Sequence, residues 1–288
     1  MSHFTVLVIG ADVEKQLQPF HEFECTGIDD QFVQDVDVTE ECRANGLDYY
    51  GLDDRTVESE ADVDRDGDHK FGFAVVKDGQ ILKAVNRTNP NKKWDWWQIG
   101  GRWSGFLKLK PGADGLLGNP GLLGSRSNSG PGYADQAAKG AIDFDGMRDD
   151  AGKKAGARFD SVHAIIAGRD FTSWAQSREN HPGNIDAARA FYNSQPVVQD
   201  IANSDILGWF EDLSTFSIPR EQFVQKVRDS ACATFAVLKD GQWFEKGSMG
   251  WWGAVSDEKD ADEWNRQFSE LVDNLPDDEL LTVVDCHI

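Results

Sequence analysis

The sequence predicts an α+β protein built from two ferredoxin-like halves in a pseudo-repeat. Residues 73–80 and 235–242 read FAVVKDGQ and FAVLKDGQ, and both contain the Asp-Gly pair typical of a two-residue hairpin turn. Around each hairpin the order strand, helix, hairpin, helix, strand recurs, as in the split βαβ fold. The halves would span residues 1–110 and 134–288, with a Gly-rich loop or linker at 111–133 between them. A chance match between two hairpin sequences is the alternative.

Hydrophobic periodicity and turn residues define the elements of the first half. Phe4–Ile9 is short, β-branched and followed by Gly10, which indicates a buried strand. The other predicted elements of this half are a short helix near 12–20 and strands at 71–76, 80–85 and 106–109.

The second half is predicted to alternate strands and helices up to its end. Its predicted strands are 162–167, 234–238, 242–245 and 280–288, and its predicted helices cover 186–193, 219–231 and a segment that starts at Asp260. Asp260 and Glu263 have the spacing of a capping box, and Pro276 ends that last helix. In a ferredoxin-like fold the first and last strands are neighbours, so 4–9 should pair with 280–286.

The charge of the chain excludes several partner classes. The 288 residues include 29 Lys+Arg and 50 Asp+Glu, a formal net charge of -21. General binding to nucleic acid needs clustered basic residues, and docking on anionic lipid needs them too. Hydrophobic residues make up 40% of the chain, too many for a disordered acidic tail. We therefore expect a folded protein that binds neither nucleic acid directly nor a membrane.

The cysteines and the N-terminus favour a cytoplasmic protein. Cys25, Cys42, Cys232 and Cys286 are widely spaced, without a disulfide-dense or CxxC pattern. The first apolar run is too short for a signal peptide, and no window approaches the roughly 18 apolar residues of a membrane span. Motifs for cofactor binding, such as GxxxxGK[ST], GxGxxG after a strand, or HExxH, are missing from the sequence.

Five segments resemble a family of proteins of unassigned function that tailed phages and some of their bacterial hosts encode. They are HFTVLVIG (His3–Gly10), HEFECTG (His21–Gly27), Asn89–Lys110, MGWWG (Met249–Gly253) and LLTVVDCHI (Leu280–Ile288). The resemblance covers essentially the whole chain. It implies a phage context and no particular chemistry. The segment between Asp48 and Asp68 is shorter than in the family, which indicates that it is dispensable to the fold.

The strongest candidate site is the segment WDWWQIGGRW. Gly100 and Gly101 let the backbone approach a ligand closely, and Arg102 between aromatic residues could clamp a carboxylate, a phosphate or a base. Trp97 and Trp103 complete the predicted ligand-binding set in this segment. A Trp-rich core with Arg102 in a structural salt bridge is the alternative.

A related segment, Gly250–Gly253, contributes Trp252 to the same predicted site but lacks an arginine. The Gly-rich loop could close over the site as a lid, or it could be a simple linker.

Three acidic or histidine-containing segments are weaker candidates. Residues 62–68 begin like a calcium loop, but Phe73 occupies the position of the closing glutamate, so a solvated acidic turn is the alternative and no metal is predicted. His21–Cys25 has no recognised zinc spacing. On a strand, Asp285 and His287 share one face and Cys286 the other, which allows an Asp–His dyad for general base catalysis or a purely structural role.

Two function classes remain. The first is an acidic, cytoplasmic binding protein of a phage. It could inhibit a basic host protein that acts in defence or in nucleic-acid processing, or it could sequester a small ligand. The alternative is a small-molecule-binding enzyme with its site at the GGRW segment and the Gly-rich loop. The sequence leaves open whether the chain is an enzyme.

Overall fold

The structure, a computed structural model, describes residues 2–22, 30–204, 206–207, 213–250 and 253–288. In these residues the α-helices are α1 (Val13–Leu17), α2 (Thr39–Asn45), α3 (Phe144–Ile166), α4 (Trp174–Asn180), α5 (Ile185–Ser194), α6 (Pro196–Ala202), α7 (Arg220–Ser230) and α8 (Ala261–Asp273). The strands are β1 (His3–Ile9), β2 (Gln34–Asp37), β3 (Thr56–Val57), β4 (Gly72–Lys77), β5 (Gln80–Thr88), β6 (Trp96–Gly101), β7 (Leu107–Lys108), β8 (Asn119–Pro120), β9 (Tyr133–Ala134), β10 (Gln136–Ala138), β11 (Ala236–Lys239), β12 (Gln242–Glu245), β13 (Ser248–Met249), β14 (Val255–Ser256) and β15 (Leu280–His287).

The largest sheet is mixed and has β1 near its centre. Its strand order is β12-β11-β1-β15-β6-β8, and β10 also pairs with β15. β1 runs parallel to β11 and antiparallel to β15, with His3 opposite His287. The prediction that the first and last strands are neighbours is confirmed.

The α+β class is confirmed, but two ferredoxin-like halves are not. Strands from both predicted halves share the large sheet, and β1 lies directly beside the parallel strand β11. A split βαβ unit would place another strand between such a parallel pair. The hairpin of the first half lies apart, in a four-stranded sheet of order β2-β5-β4-β3.

The strand predicted at 162–167 is wrong, because these residues lie in or just after α3. Val162 and Ile166 are buried together with Ala155 and Phe159, at the i, i+3, i+4 spacing of one helix face. A short apolar run does not distinguish a strand from a buried helix segment by itself. Gly168 follows the helix, whose C-cap Ala167 is left-handed.

Both Asp-Gly hairpins are confirmed. Asp78 and Gly79 have φ of 51° and 75°, and Asp240 and Gly241 have 51° and 73°, as two-residue hairpin turns with positive φ at both central positions require. The duplication of a whole domain remains a prediction.

The predicted N-terminus of α8 is confirmed in its main feature. The Asp260 side chain accepts hydrogen bonds from the backbone N–H groups of Asp262 and Glu263. The reciprocal bond of a capping box is not formed in the described residues, because the Glu263 carboxylate accepts from Arg266 and Gln267 instead.

Alternate residues of β1 and β15 pack into different cores. Leu7 and Val283 contact a cluster that includes Trp264 and Phe268 of α8. On the other face, Phe4, Val6 and Val8 of β1 and Val284 and Cys286 of β15 contact a second cluster. Strands buried on both faces read as continuous apolar runs. At the His3 end of the sheet, the first face becomes polar.

Among the described residues, no helix has both the length and the apolar character that crossing a membrane requires.

Candidate functional site

The two glycines of the GGRW segment make room for two buried carboxylates. Gly100 and Gly101 end β6 with φ of 83° and 60°. A Cβ on Gly100 would lie 2.6 Å from Asp135 Oδ2, and one on Gly101 would lie 2.3 Å from Asp285 Oδ2. Such distances are far below van der Waals contact. The close approach predicted from these glycines is therefore an approach to the protein's own carboxylates.

Asp135 is fully buried and organises the loop after β6. Its carboxylate accepts hydrogen bonds from Ser104 Oγ at 2.9 Å, from the backbone N–H groups of Gly105 and Phe106 at 2.7 and 3.2 Å, and from that of Gly118 at 2.8 Å. Buried carboxylates need such compensation. Sequence reasoning missed Asp135, since no motif in the sequence marks it.

Hydrogen bonds connect the Gly-rich segment to the residues around Asp135. The Arg126 guanidinium donates to the Gly118 carbonyl at 2.9 Å and to Ser104 Oγ. β8, within the same segment, pairs with Gly100 and Gly101. Residues 111–132 thus contribute a strand to the large sheet.

The second carboxylate, Asp285, lies beneath a histidine. Only 1% of its side chain is exposed, and its Oδ1 is 2.8 Å from His3 Nδ1. Its Oδ2 accepts the backbone N–H of Arg102 at 2.9 Å. With Nδ1–H directed at the carboxylate, the imidazole presents Nε2 as its second functional atom.

A second His–Asp pair touches the first. His287 Nδ1 is 2.5 Å from Asp95 Oδ1, and the His3 and His287 rings meet edge to face with centroids 4.8 Å apart. Neither Nε2 atom is hydrogen-bonded to the described part of the chain. The His3 and His287 side chains are 12% and 13% exposed.

The Asp285–His287 dyad that the sequence allowed is not formed in the described residues; Asp285 pairs with His3, and His287 pairs with Asp95. Asp285 and His287 do share a face of β15, but each contacts a residue of another segment. Side chains directly opposite or diagonal on neighbouring strands are within reach of each other. Cys286 points to the opposite face, where burial raises the pKa of its thiol well above the usual range. It supplies no nucleophile here.

Trp96 and Arg102 border the two pairs. Trp96 lies opposite His287 in the sheet, is 46% exposed, and has its ring 6.3 Å from that of His3. The Arg102 side chain is exposed, and its guanidinium forms no ion pair or hydrogen bond with the described residues. The structural salt bridge considered for Arg102 is not observed. We call the following set the His–Asp cluster: His3, Asp95, Trp96, Arg102, Asp285 and His287.

The other predicted site residues do not converge on this cluster. Trp97 packs on the opposite face of the sheet and lines a cavity of about 620 Å³ with His21 and Trp94. Trp103 lines a separate cavity of about 270 Å³ with Phe106 and Tyr133.

Trp252 lies outside the described residues. The ends of its segment do reach the neighbourhood of His3, because Ser2 Oγ donates to the Gly250 carbonyl at 2.8 Å and accepts the Gly253 N–H at 2.7 Å.

The weaker candidates have structural partners. Asp64 Oδ1 accepts the backbone N–H groups of Asp66 and Gly67, so the acidic turn is closed on itself. Within the described ranges no group of three or more His, Cys, Asp or Glu side chains is arranged to hold a metal ion. Of the His21–Cys25 segment, residues 23–25 lie outside the described residues, and His21 stacks on Trp94.

The arrangement can transfer protons and hold an anion. Two imidazoles with carboxylate-oriented rings can act as general base and general acid, and an unpaired guanidinium is suited to carboxylate and phosphate groups. No family model, no curated protein and no solved structure matches the chain, so its function rests on this geometry.

Proposed function

We propose that the chain is a small-molecule-binding enzyme whose site is the His–Asp cluster, and that it acts on an anionic ligand by acid–base catalysis. The observation that carries the proposal is the contact between two histidines, 4.8 Å apart, each bonded through Nδ1 to its own carboxylate. An imidazole held in this way has a fixed ring orientation and tautomer, as a catalytic base requires.

The carboxylates of Asp285 and Asp95 differ in burial, but each orients one imidazole. Asp285 is almost fully buried, and its other oxygen is bonded to the Arg102 backbone, so it holds His3 in one orientation. Asp95 is 41% exposed. Both also stabilise the imidazolium that forms when Nε2 takes up a proton.

The environment of Arg102 indicates that the ligand is an anion. Most other cations of this acidic chain have carboxylate partners, for example Arg65 with Asp35 and Arg220 with Asp160. Arg102 is exposed and has none in the described residues, although it is next to the buried Asp285 through its backbone. A guanidinium without a carboxylate partner in the described residues can bind a phosphate or carboxylate group.

Binding of inorganic phosphate tests the proposal on the full chain. In NMR spectra of the histidine rings, phosphate should shift the signals of His3 and His287 and leave those of His69 and His163 in place. Arg102→Ala should weaken this binding at least about 10-fold, which corresponds to one lost charge-assisted contact of about 1.4 kcal/mol. Arg65→Ala, which removes an exposed arginine of the turn that precedes β4, is the control. Unchanged His3 and His287 signals would refute the proposal.

A second candidate is the acidic binding protein directed at a basic host protein, in the phage context that the sequence resemblance implies. The observation that favours it is the exposure of three leucines in the two GLLG repeats of the Gly-rich loop. Leu116, Leu117 and Leu122 are 50%, 40% and 76% exposed. Exposed apolar groups can contribute to a protein-binding surface, and the charge of -21 would attract a basic partner.

This second proposal is tested with a partner captured from host lysate and then purified. Binding of the pure partner should weaken in Leu122→Asp and at high salt, because both apolar contact and charge contribute. Leu82→Asp, at an exposed leucine of β5 with 51% exposure, should bind normally. Equal binding by both variants would exclude the leucines from the interface.

A further inference from the structure

We infer that the His–Asp cluster hydrolyses a small phosphodiester that carries a planar group, with one histidine as general base and the other as general acid. The inference rests on the proposed function and adds the substrate class and the reaction. It is carried by two histidine rings in contact, each bonded through Nδ1 to a carboxylate. The half-exposed Trp96 lies beside His3, and the backbone of Arg102 is bonded to Asp285.

Two imidazoles in contact suit a reaction that needs a base and an acid in the same step. Attack on a phosphodiester is such a reaction, because the incoming hydroxyl must lose a proton while the departing alkoxide must gain one. A single histidine serves acyl transfer when a serine or cysteine is the nucleophile. Here Ser104 is buried and bonded to Asp135, and Cys286 faces the other side of the sheet. The proposed nucleophile is a water molecule.

The step balances with water as the co-reactant. The Nε2 of one neutral imidazole takes a proton from water while the water oxygen forms a bond to phosphorus. The bond from phosphorus to the leaving oxygen breaks, and that oxygen takes a proton from Nε2 of the other ring, which starts as imidazolium. The products are a phosphomonoester and an alcohol. Proton exchange with solvent restores the original state of both rings.

The remaining two residues define the substrate. Arg102 faces solvent with a guanidinium suited to the non-bridging phosphate oxygens. Trp96 exposes 46% of its surface beside His3, and a planar ring of the ligand can stack on it. Among the described residues, the charged groups that contact the two rings are Asp285 and Asp95. The overall charge of -21 disfavours a polyanion, so the substrate is a small diester rather than a nucleic acid chain.

Two diesters with different leaving groups test this. Bis(4-nitrophenyl) phosphate releases a stable phenolate and needs little acid catalysis, whereas 2′,3′-cyclic adenosine monophosphate releases an alkoxide that does. His3→Asn and His287→Asn are the informative variants, because the Asn amide can keep the bond to Asp285 or Asp95 while Nε2 is lost. His69→Gln is the control histidine.

One Asn variant should lower kcat/KM for both diesters by at least about 100-fold, which identifies the base. The other should lower it for the cyclic nucleotide far more than for the nitrophenyl diester, which identifies the acid. Wild type should show a bell-shaped pH profile, and each variant should lose one limb. If phosphate shifts both histidine signals but neither diester is cleaved, the inference is refuted while the proposed function stands. If phosphate does not bind, both fail. Equal effects of both variants on both diesters would also refute it.

Discussion

His3 Nδ1 and Asp285 Oδ1 lie 2.8 Å apart although 282 residues separate them in the chain. The contact exists because β1 and β15 pair antiparallel, with His3 opposite His287 and Thr5 opposite Asp285. The buried carboxylate also accepts the Arg102 N–H. It thereby connects the three segments that form the candidate site.

Gly101 should tolerate no side chain. A Cβ there would lie 2.3 Å from Asp285, whereas at Gly112, which also has a positive φ, nothing lies within 4 Å. Gly112→Ala should cost about 1–2 kcal/mol of unfolding free energy from the backbone conformation alone. Gly101→Ala should cost about 1–3 kcal/mol more from the clash. Urea unfolding of both variants measures the difference, and equal losses would show that Asp285 can move away.

Asp135 should hold the Gly-rich segment in place. Asp135→Asn replaces two acceptor oxygens by one and should lower the unfolding free energy by at least about 2 kcal/mol, because buried N–H donors lose their partner. Trypsin should then cut after Arg126 faster than in wild type, since the backbone there is released. Asp114→Asn, an exposed aspartate in the same segment, is the control. Wild-type cleavage kinetics in Asp135→Asn would contradict this role.

The described cysteines should react slowly with thiol reagents. Cys42, Cys232 and Cys286 are buried, and desolvation raises the pKa of all three, that of Cys232 to about 11. At pH 8 these thiols are therefore protonated, and only the thiolate reacts. In a Cys25→Ser variant, labelling by Ellman's reagent should be slow in native protein and fast in guanidinium chloride. Fast native labelling of any of the three would contradict the burial.

Asp37 should contribute stability that is lost in acid. Hydrogen bonds from the Thr39 hydroxyl and backbone N–H lower the pKa of its carboxyl. A carboxyl whose pKa is lower in the folded state stabilises the protein above its unfolded pKa, near 3.9, and this contribution disappears as the pH falls through the folded value.

Asp37→Asn should therefore be less stable than wild type at pH 7, with a gap that narrows below about pH 4. Urea unfolding at several pH values measures the gap. Asp53→Asn, an exposed aspartate nearby in sequence, serves as the control, and a gap that does not depend on pH would rule out the mechanism.

Much of the local structure was predictable because it depends on short-range patterns. The Asp-Gly turns, the Asp260 N-cap and the apolar run of β15 are determined by neighbouring residues. The segment 162–167 was misassigned because its apolar run fits either a strand or a buried helix.

The candidate site was predictable only in part. Arg102 and the polar face of Asp285 and His287 followed from residue type and strand alternation. Their partners His3 and Asp95, and the buried Asp135, could not be found, because each comes from a segment distant in sequence. Trp97 and Trp103 were grouped by proximity in the sequence, although the structure separates them by the sheet and by a sharp turn.

The amino-acid sequence by itself determined the α+β class, the acidic charge, the two hairpins, the long apolar strands β1 and β15 and the amphipathic helix α8, because these depend on composition and local periodicity. Only the tertiary structure decided which residues meet. Pairing of β1 with β15 and of β15 with β6 joins the two ends of the chain to the GGRW turn. Strand register is fixed by which side chains the two cores bury. The register places His3 in contact with Asp285 and His287 in contact with Asp95.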